Sequence, residues 1–259
     1  MIDESMLGAG PPDLREFQEL RPPSDADLPV RLEFLADGRE VAVTGPEPDA
    51  LDRWLERQEL PGNGAGSLVV GWLSLERLSV EVTMEELVAV AVSEGAEAPG
   101  DDLAAPDLPL LSLRDVLADT GVVVSAERAY SLEDLAAEIE SGRGVVLAGD
   151  AGCLFDDPAR FSGGANTTVL VMAVARDLAS SELVAFDVLT VGDKPQVNRV
   201  PATALVQGWL SIGSLYLVLE QPGTRAAGKP TGGSGGVAGD RGAGGNGGDR
   251  GDVRSSPDR

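Results

Sequence analysis

From Ser67 onward the apolar residues of this chain change their period near Gly144, and that change constrains the fold more than any other feature. Before it, Leu68, Val69, Trp72, Leu73, Leu75 and Leu78 recur at helical spacing, which predicts a largely buried helix starting at or near Ser67. Three capping-box patterns follow, Thr83-x-x-Glu86, Ser112-x-x-Asp115 and Ser131-x-x-Asp134, each heading a short periodic run. A hydroxyl at the first position and a carboxylate three residues on satisfy each other's free backbone donors, so each predicts a helix start. The last two runs stop at Gly121 and Gly142, the residue type that tolerates the left-handed turn ending a helix.

From Gly144 the runs become short and rich in valine: Val145 to Ala148, Thr168 to Val174, Leu183 to Val188 and Leu215 to Leu219. They predict strands buried on both faces, with one helical turn over Ala202 to Leu210 before the last. Helices first and strands later is the order of an α+β domain. Upstream, Val30, Leu32 and Phe34 alternate with Arg31 and Glu33 and lead through Asp37-Gly38 to Val41 and Val43, a hairpin pattern. Leu51, Trp54 and Leu55 then share a helical face. The expected organisation is a flexible segment 1–24, a hairpin-and-helix extension 25–61, a main domain 62–222 and a Gly-rich tail 223–259 that holds 13 of the 33 glycines.

Composition excludes several function classes. The 259 residues include no histidine, so no imidazole base and no histidine metal ligand exist. The one cysteine, Cys153, permits neither an internal disulfide nor a cysteine metal cage, and with no basic neighbour it reads as a small semi-buried hydrophobe. A formal charge of −23 repels phosphate backbones and anionic headgroups, so neither nucleic acid nor membrane is an expected partner. An acidic start without an apolar run, and no stretch of about 18 apolar residues, lead to a cytoplasmic expectation.

Four segments resemble the papain-like superfamily, in particular the bacterial cysteine peptidases of the bacteriocin-processing type. Leu132-Glu133-Asp134-Leu135 through Gly144-Val145-Val146-Leu147-Ala148-Gly149-Asp150 looks like that family's unit of a helix leading into a central strand. Gly163-Gly164-Ala165-Asn166-Thr167-Thr168-Val169-Leu170-Val171 resembles the Gly-Ala-Asn-His stretch that carries the catalytic histidine at the start of a strand. Ala185-Phe186-Asp187-Val188 falls where the family has an aromatic residue and then Asn or Asp, and Val200-Pro201 to Gly208-Trp209 resembles its closing helix. The resemblance spans roughly Gly62 to Glu220 and implies a papain-like fold, with a helical half packed against an antiparallel sheet.

What the resemblance implies for chemistry is a loss. Thr167 stands at the histidine position, Ser67 in Asn63-Gly64-Ala65-Gly66-Ser67 is the candidate for the nucleophile position, and Asp187 keeps the orienting position with nothing to orient. A serine hydroxyl without a base to take its proton does not attack a carbonyl. The expected function is therefore a catalytically inactive, pseudopeptidase-type module that binds a protein or peptide. Its expected binding residues are Gly64, Gly66, Ser67, Asn166, Thr167, Asp187 and Trp209. The alternative is an acidic assembly or accessory protein that uses its surface and tail, and a third reading is a hydrolase using aspartates. Asp150, Asp156, Asp157, Asp187 and Asp193 fit no calcium-loop spacing, and neither glycine-rich run has the lysine of a phosphate loop, so no metal and no cofactor are expected.

Overall fold

A computed structural model describes residues 28–58, 66–96, 107–192 and 194–221. The segments 1–24 and 223–259, Gly64 and Asp193 lie outside the described residues.

Strands β1 (Val30–Phe34) and β2 (Glu40–Thr44) form the hairpin that the alternation around Asp37-Gly38 predicts. Helix α1 (Pro48–Glu56) follows, burying Leu51 and Leu55. Helix α2 (Ser67–Arg77) starts at Ser67 and is buried from Ser67 through Leu75. Each of its fully buried leucines, Leu68, Leu73 and Leu75, contributes roughly 1.5–3 kcal/mol through burial. Gly71 lies close against Leu113: a Cβ there would meet the Cδ1 of Leu113 at 2.8 Å, so a larger residue would require the Leu113 side chain to shift.

Helix α3 (Met84–Ser93) opens with the complete Thr83–Glu86 capping box. Helix α4 (Leu110–Ala118) starts two residues before the Ser112 pattern, with Pro109 at the N-cap. The earlier start turns Leu110 inward beside Leu113, Val116 and Leu117, and that burial outweighs the local Ser112–Asp115 cap. Strand β3 (Val123–Arg128) comes next, then helix α5 (Leu132–Glu140) with the complete Ser131–Asp134 box. Gly121 and Gly142 take the left-handed φ values of +88° and +82° after α4 and α5.

Strands β4 (Gly144–Gly149), β5 (Thr167–Asp177), β6 (Leu183–Val191), β7 (Pro195–Pro201) and β8 (Leu215–Glu220) complete one eight-stranded sheet, and every pairing in it is antiparallel. The short helices α6 (Ala151–Leu154) and α7 (Ala202–Gly208) sit between strands. The architecture is α+β, with helices against an antiparallel sheet, as expected. The element order departs from the expected one: β3 precedes α5, and β7 lies between β6 and α7. Both are edge strands, β3 half-exposed and β7 bounded by Pro195 and Pro201, and a weak or proline-marked alternation hides an edge strand in sequence.

β5 organises the sheet. Along one edge it pairs β4 over Thr167 to Val171 and β2 over Val174 to Asp177; along the other it pairs β6 over Leu170 to Arg176. The N-terminal hairpin thus adds two strands to the main sheet. One core gathers α1 to α4 against one face, with Val146, Leu170, Met172 and Leu217. A second, around Phe186, Trp209, Leu135 and Ile139, fills the other face. A third small core, Val41, Val43, Ala173, Ala175 and Ala185, lies where β2, β5 and β6 adjoin. No helix among the described residues is long and apolar enough to cross a membrane.

Candidate functional site

Three junctions bring chain from distant positions to one end of the sheet. At the end of β4, Asp150 N–H donates to Gly208 O at 2.7 Å, and a Cβ on Gly149 would meet that same oxygen at 2.8 Å. Only a glycine lets α7 come this close. Asp150 then holds the loop before β5: its Oδ1 accepts from Gly152 N–H and Cys153 N–H, and its Oδ2 from Ser162 N–H, Gly163 N–H and the Ser162 hydroxyl. Burial pushes the Asp150 carboxyl up, but these donors win and hold it below its ordinary value of 3.8.

Asn166 fixes the next step. Its N–H donates to Gly149 O at 2.9 Å, its Oδ1 accepts from Ala151 N–H at 2.7 Å and its Nδ2 donates to Arg160 O at 2.7 Å. Both side-chain polar atoms bond backbone, so Asn166 acts as a brace that delivers Thr167 to the first position of β5. Trp209, fully buried, donates its indole N–H to Leu215 O at 2.9 Å and meets Tyr216 edge to face at 5.9 Å. Burial and Glu127 push the Tyr216 phenol above its ordinary range.

Between these junctions and the start of α4 lies a cavity of about 470 Å³. Asp107, Leu108, Pro109 and Leu110 form one wall; Ala148, Ala165, Asn166, Thr167 and Thr168 form the sheet side; Trp209, Ile212, Gly213, Ser214 and Leu215 close it. The lining is mixed apolar and hydroxylic, with Asp107 its one ionisable residue. Three of the residues expected from sequence, Asn166, Thr167 and Trp209, therefore line one cavity.

Ser67 stands behind that wall. It is 1 % exposed, its N–H donates to Asp107 Oδ1 at 3.1 Å, and its hydroxyl oxygen accepts from Leu108 N–H at 2.5 Å. Gly66, the extended N-cap residue of α2, lies next to it. The segment Asp107-Leu108 thus seals the start of α2, and the serine hydroxyl faces backbone rather than the cavity. No local pattern marks this contact, since Leu108 lies 41 residues further along the chain.

Asp187 does not join the group. It pairs with Ala173 in the middle of β6 and accepts from Arg199 through both oxygens, at 2.7 and 2.8 Å, and from Arg31 at 3.3 Å. Glu33 bonds both Arg199, at 2.6 Å, and Arg31, closing a four-member network between β1, β6 and β7. Burial raises the Glu33 carboxyl, but the two arginines outweigh it and hold the group below its ordinary value. Asp187 is thus a fastener for the hairpin and orients nothing in the cavity. The aspartates do not gather either: Asp150 and Asp157 cap local backbone, and among the described residues no three His, Cys, Asp or Glu converge as metal ligands. Cys153 lies half-buried on α6.

No protein-family model and no curated protein matches this chain. Among solved structures it is similar to a crystal structure from Bacillus anthracis described as a candidate C39-like peptidase, with 15% sequence identity, 64% of this chain and 93% of that chain covered, and a TM-score of 0.39.

Proposed function

We propose that this chain is a non-catalytic papain-like pseudopeptidase whose cavity binds a peptide or an extended segment of a protein partner. The observation that carries the reading is the chemistry of the cavity: it lies at the start of β5, where the resemblance to papain-like peptidases puts a histidine, and Thr167 occupies that place. A threonine hydroxyl accepts no proton from a nucleophile at neutral pH, whereas it donates and accepts hydrogen bonds as a peptide backbone requires. Apolar walls from Leu108, Pro109, Trp209, Ile212 and Leu215, with a few hydroxyls between them, are the usual lining of a binding site for a neutral segment. Ser67 adds to the reading, because its hydroxyl is engaged by Leu108 and has no base. The charge of −23 directs this activity away from nucleic acid and anionic lipid, and we place it in the cytoplasm.

The test is selection of a random peptide display library on the full chain, followed by affinity measurement through the change in tryptophan fluorescence. Wild-type protein is expected to enrich related sequences, Thr167→Trp, which fills the cavity, to lose them at least about tenfold, or roughly 1.4 kcal/mol, and Leu32→Lys, far from the lining, to keep them. Equal binding by Thr167→Trp, or no enrichment on the wild type, would overturn the reading. A second reading, that the interaction uses the outer surface, is favoured by the exposed apolar face of β1.

A further inference from the structure

β1 inverts the ordinary allocation of residues. Its alternation Val-Arg-Leu-Glu-Phe turns Arg31 and Glu33 inward to Asp187 and Arg199, and leaves Val30, Leu32 and Phe34 outward at 63%, 61% and 74% exposure. The inner position is taken by charge because the small alanine-lined core beside Asp187 ends in an ionic network, so the apolar side chains have no interior to enter. β1 pairs β2 alone, and its second edge has no strand beside it among the described residues.

The hairpin's hydrogen bonds fix which groups that edge presents. Gly45 N–H donates to Pro29 O and Leu35 N–H to Arg39 O. Antiparallel ladders alternate, so Arg31 and Glu33 bond β2, while the amides and carbonyls of Val30, Leu32 and Phe34 point to the free edge. The exposed edge and the exposed apolar stripe therefore belong to the same three residues.

We propose that this edge is a self-association site, at which a second copy of the chain adds its own β1 in antiparallel register about Leu32. The sequence of β1 is complementary to itself in that register and in no neighbouring one. With Leu32 on the two-fold axis, Val30 faces Phe34 of the second copy, and Arg31 faces Glu33 of the second copy, twice over. A shift that centres Arg31 or Glu33 sets like charges opposite each other, which is destabilising, and a shift by one residue mismatches the free amides. Closed two-fold contacts of this isologous kind are the commonest symmetric assembly. Two five-residue strands cover less than the roughly 1,200 Å² of a stable interface, and each chain carries −23, so the dimer is weak and concentration-dependent.

Sedimentation velocity of the full chain tests it, from about 10 µM to about 1 mM protein, in about 0.3 M salt, which cuts the reach of the acidic repulsion to roughly 6 Å. The wild type is expected to pass from monomer to dimer over this range. Leu32→Lys, which sets two cationic side chains opposite each other from Cα atoms about 5.5 Å apart on the axis, weakens the dimer at least about tenfold. Its melting temperature stays at the wild-type value, because residue 32 is exposed. In a Cys153→Ser background, Leu32→Cys forms a disulfide-linked dimer under mild oxidation, whereas Val123→Cys, exposed on the β3 edge, does not at the same concentration. A monomer at every concentration, an undiminished dimer with Leu32→Lys, or equal cross-linking at 32 and 123 would each overturn the proposal.

Discussion

The Ser67 hydroxyl and the Leu108 backbone amide are 2.5 Å apart, with the amide donating. This hydrogen bond ties the first turn of α2 to the chain leading into α4, and it occupies one of the two acceptor positions of the serine hydroxyl.

Ser67→Ala removes that acceptor and leaves the Leu108 N–H without its partner in a half-buried place. Chemical denaturation is expected to show a loss of about 1–2 kcal/mol. A fluorophosphonate or other mechanism-based hydrolase probe, in turn, is expected to leave no adduct on the wild type by intact-mass measurement.

Installing a cysteine and a histidine by Ser67→Cys with Thr167→His is expected to yield no peptidase activity against a mixed peptide substrate. Residue 67 remains sealed by Asp107 and Leu108, so the thiol has no path to a substrate in the cavity. Hydrolysis by this double variant would show that the seal opens.

Asp187→Ala strips the bidentate partner from Arg199 and one partner from Arg31. We expect a loss of about 2–3 kcal/mol, below that of a fully buried pair because the Arg199 side chain keeps 29% exposure. Hydrogen exchange should rise first in β1 and β2, which this network fastens.

Acid stability follows from Asp150 and Glu33. Both carboxyls titrate lower in the folded chain than their ordinary values of 3.8 and 4.5, so the unfolded chain binds protons first on acidification. Their stabilisation is present above those ordinary values and is lost as pH falls through the lower folded ones. The melting temperature is expected to fall below about pH 4. Asp150→Asn should lower it at neutral pH, since an amide nitrogen then faces the Ser162 and Gly163 donors, and should flatten its acid dependence.

Much of the fold was legible because the signals are local. The Thr83–Glu86 and Ser131–Asp134 boxes each close within one turn, and the buried stripe of α2 repeats over three. The Ser112–Asp115 box has the same spacing and failed, because the burial of Leu110 depends on what α4 packs against. Of the site, Asn166, Thr167 and Trp209 were legible through the resemblance of their segments, and they line one cavity. Asp187 was misplaced: β5 and β6 pair over Leu170 to Arg176 of β5, and the register sets Asp187 opposite Ala173, six positions along β5 from Thr167. Asp107 and Leu108 carried no sequence signal at all.

The sequence alone determined the chemical inventory: with no histidine in 259 residues, a Cys-His or Ser-His pair is unavailable in any conformation. It also determined where most helices and strands form, since periodicity and capping act between residues a few positions apart. Tertiary structure decided that Leu108 seals Ser67, that Arg31 reaches Asp187 across 156 residues, and that β1 shows its apolar side to solvent. Those outcomes depend on which distant surfaces pack together, and an alternating strand reads the same whichever of its faces ends up inside.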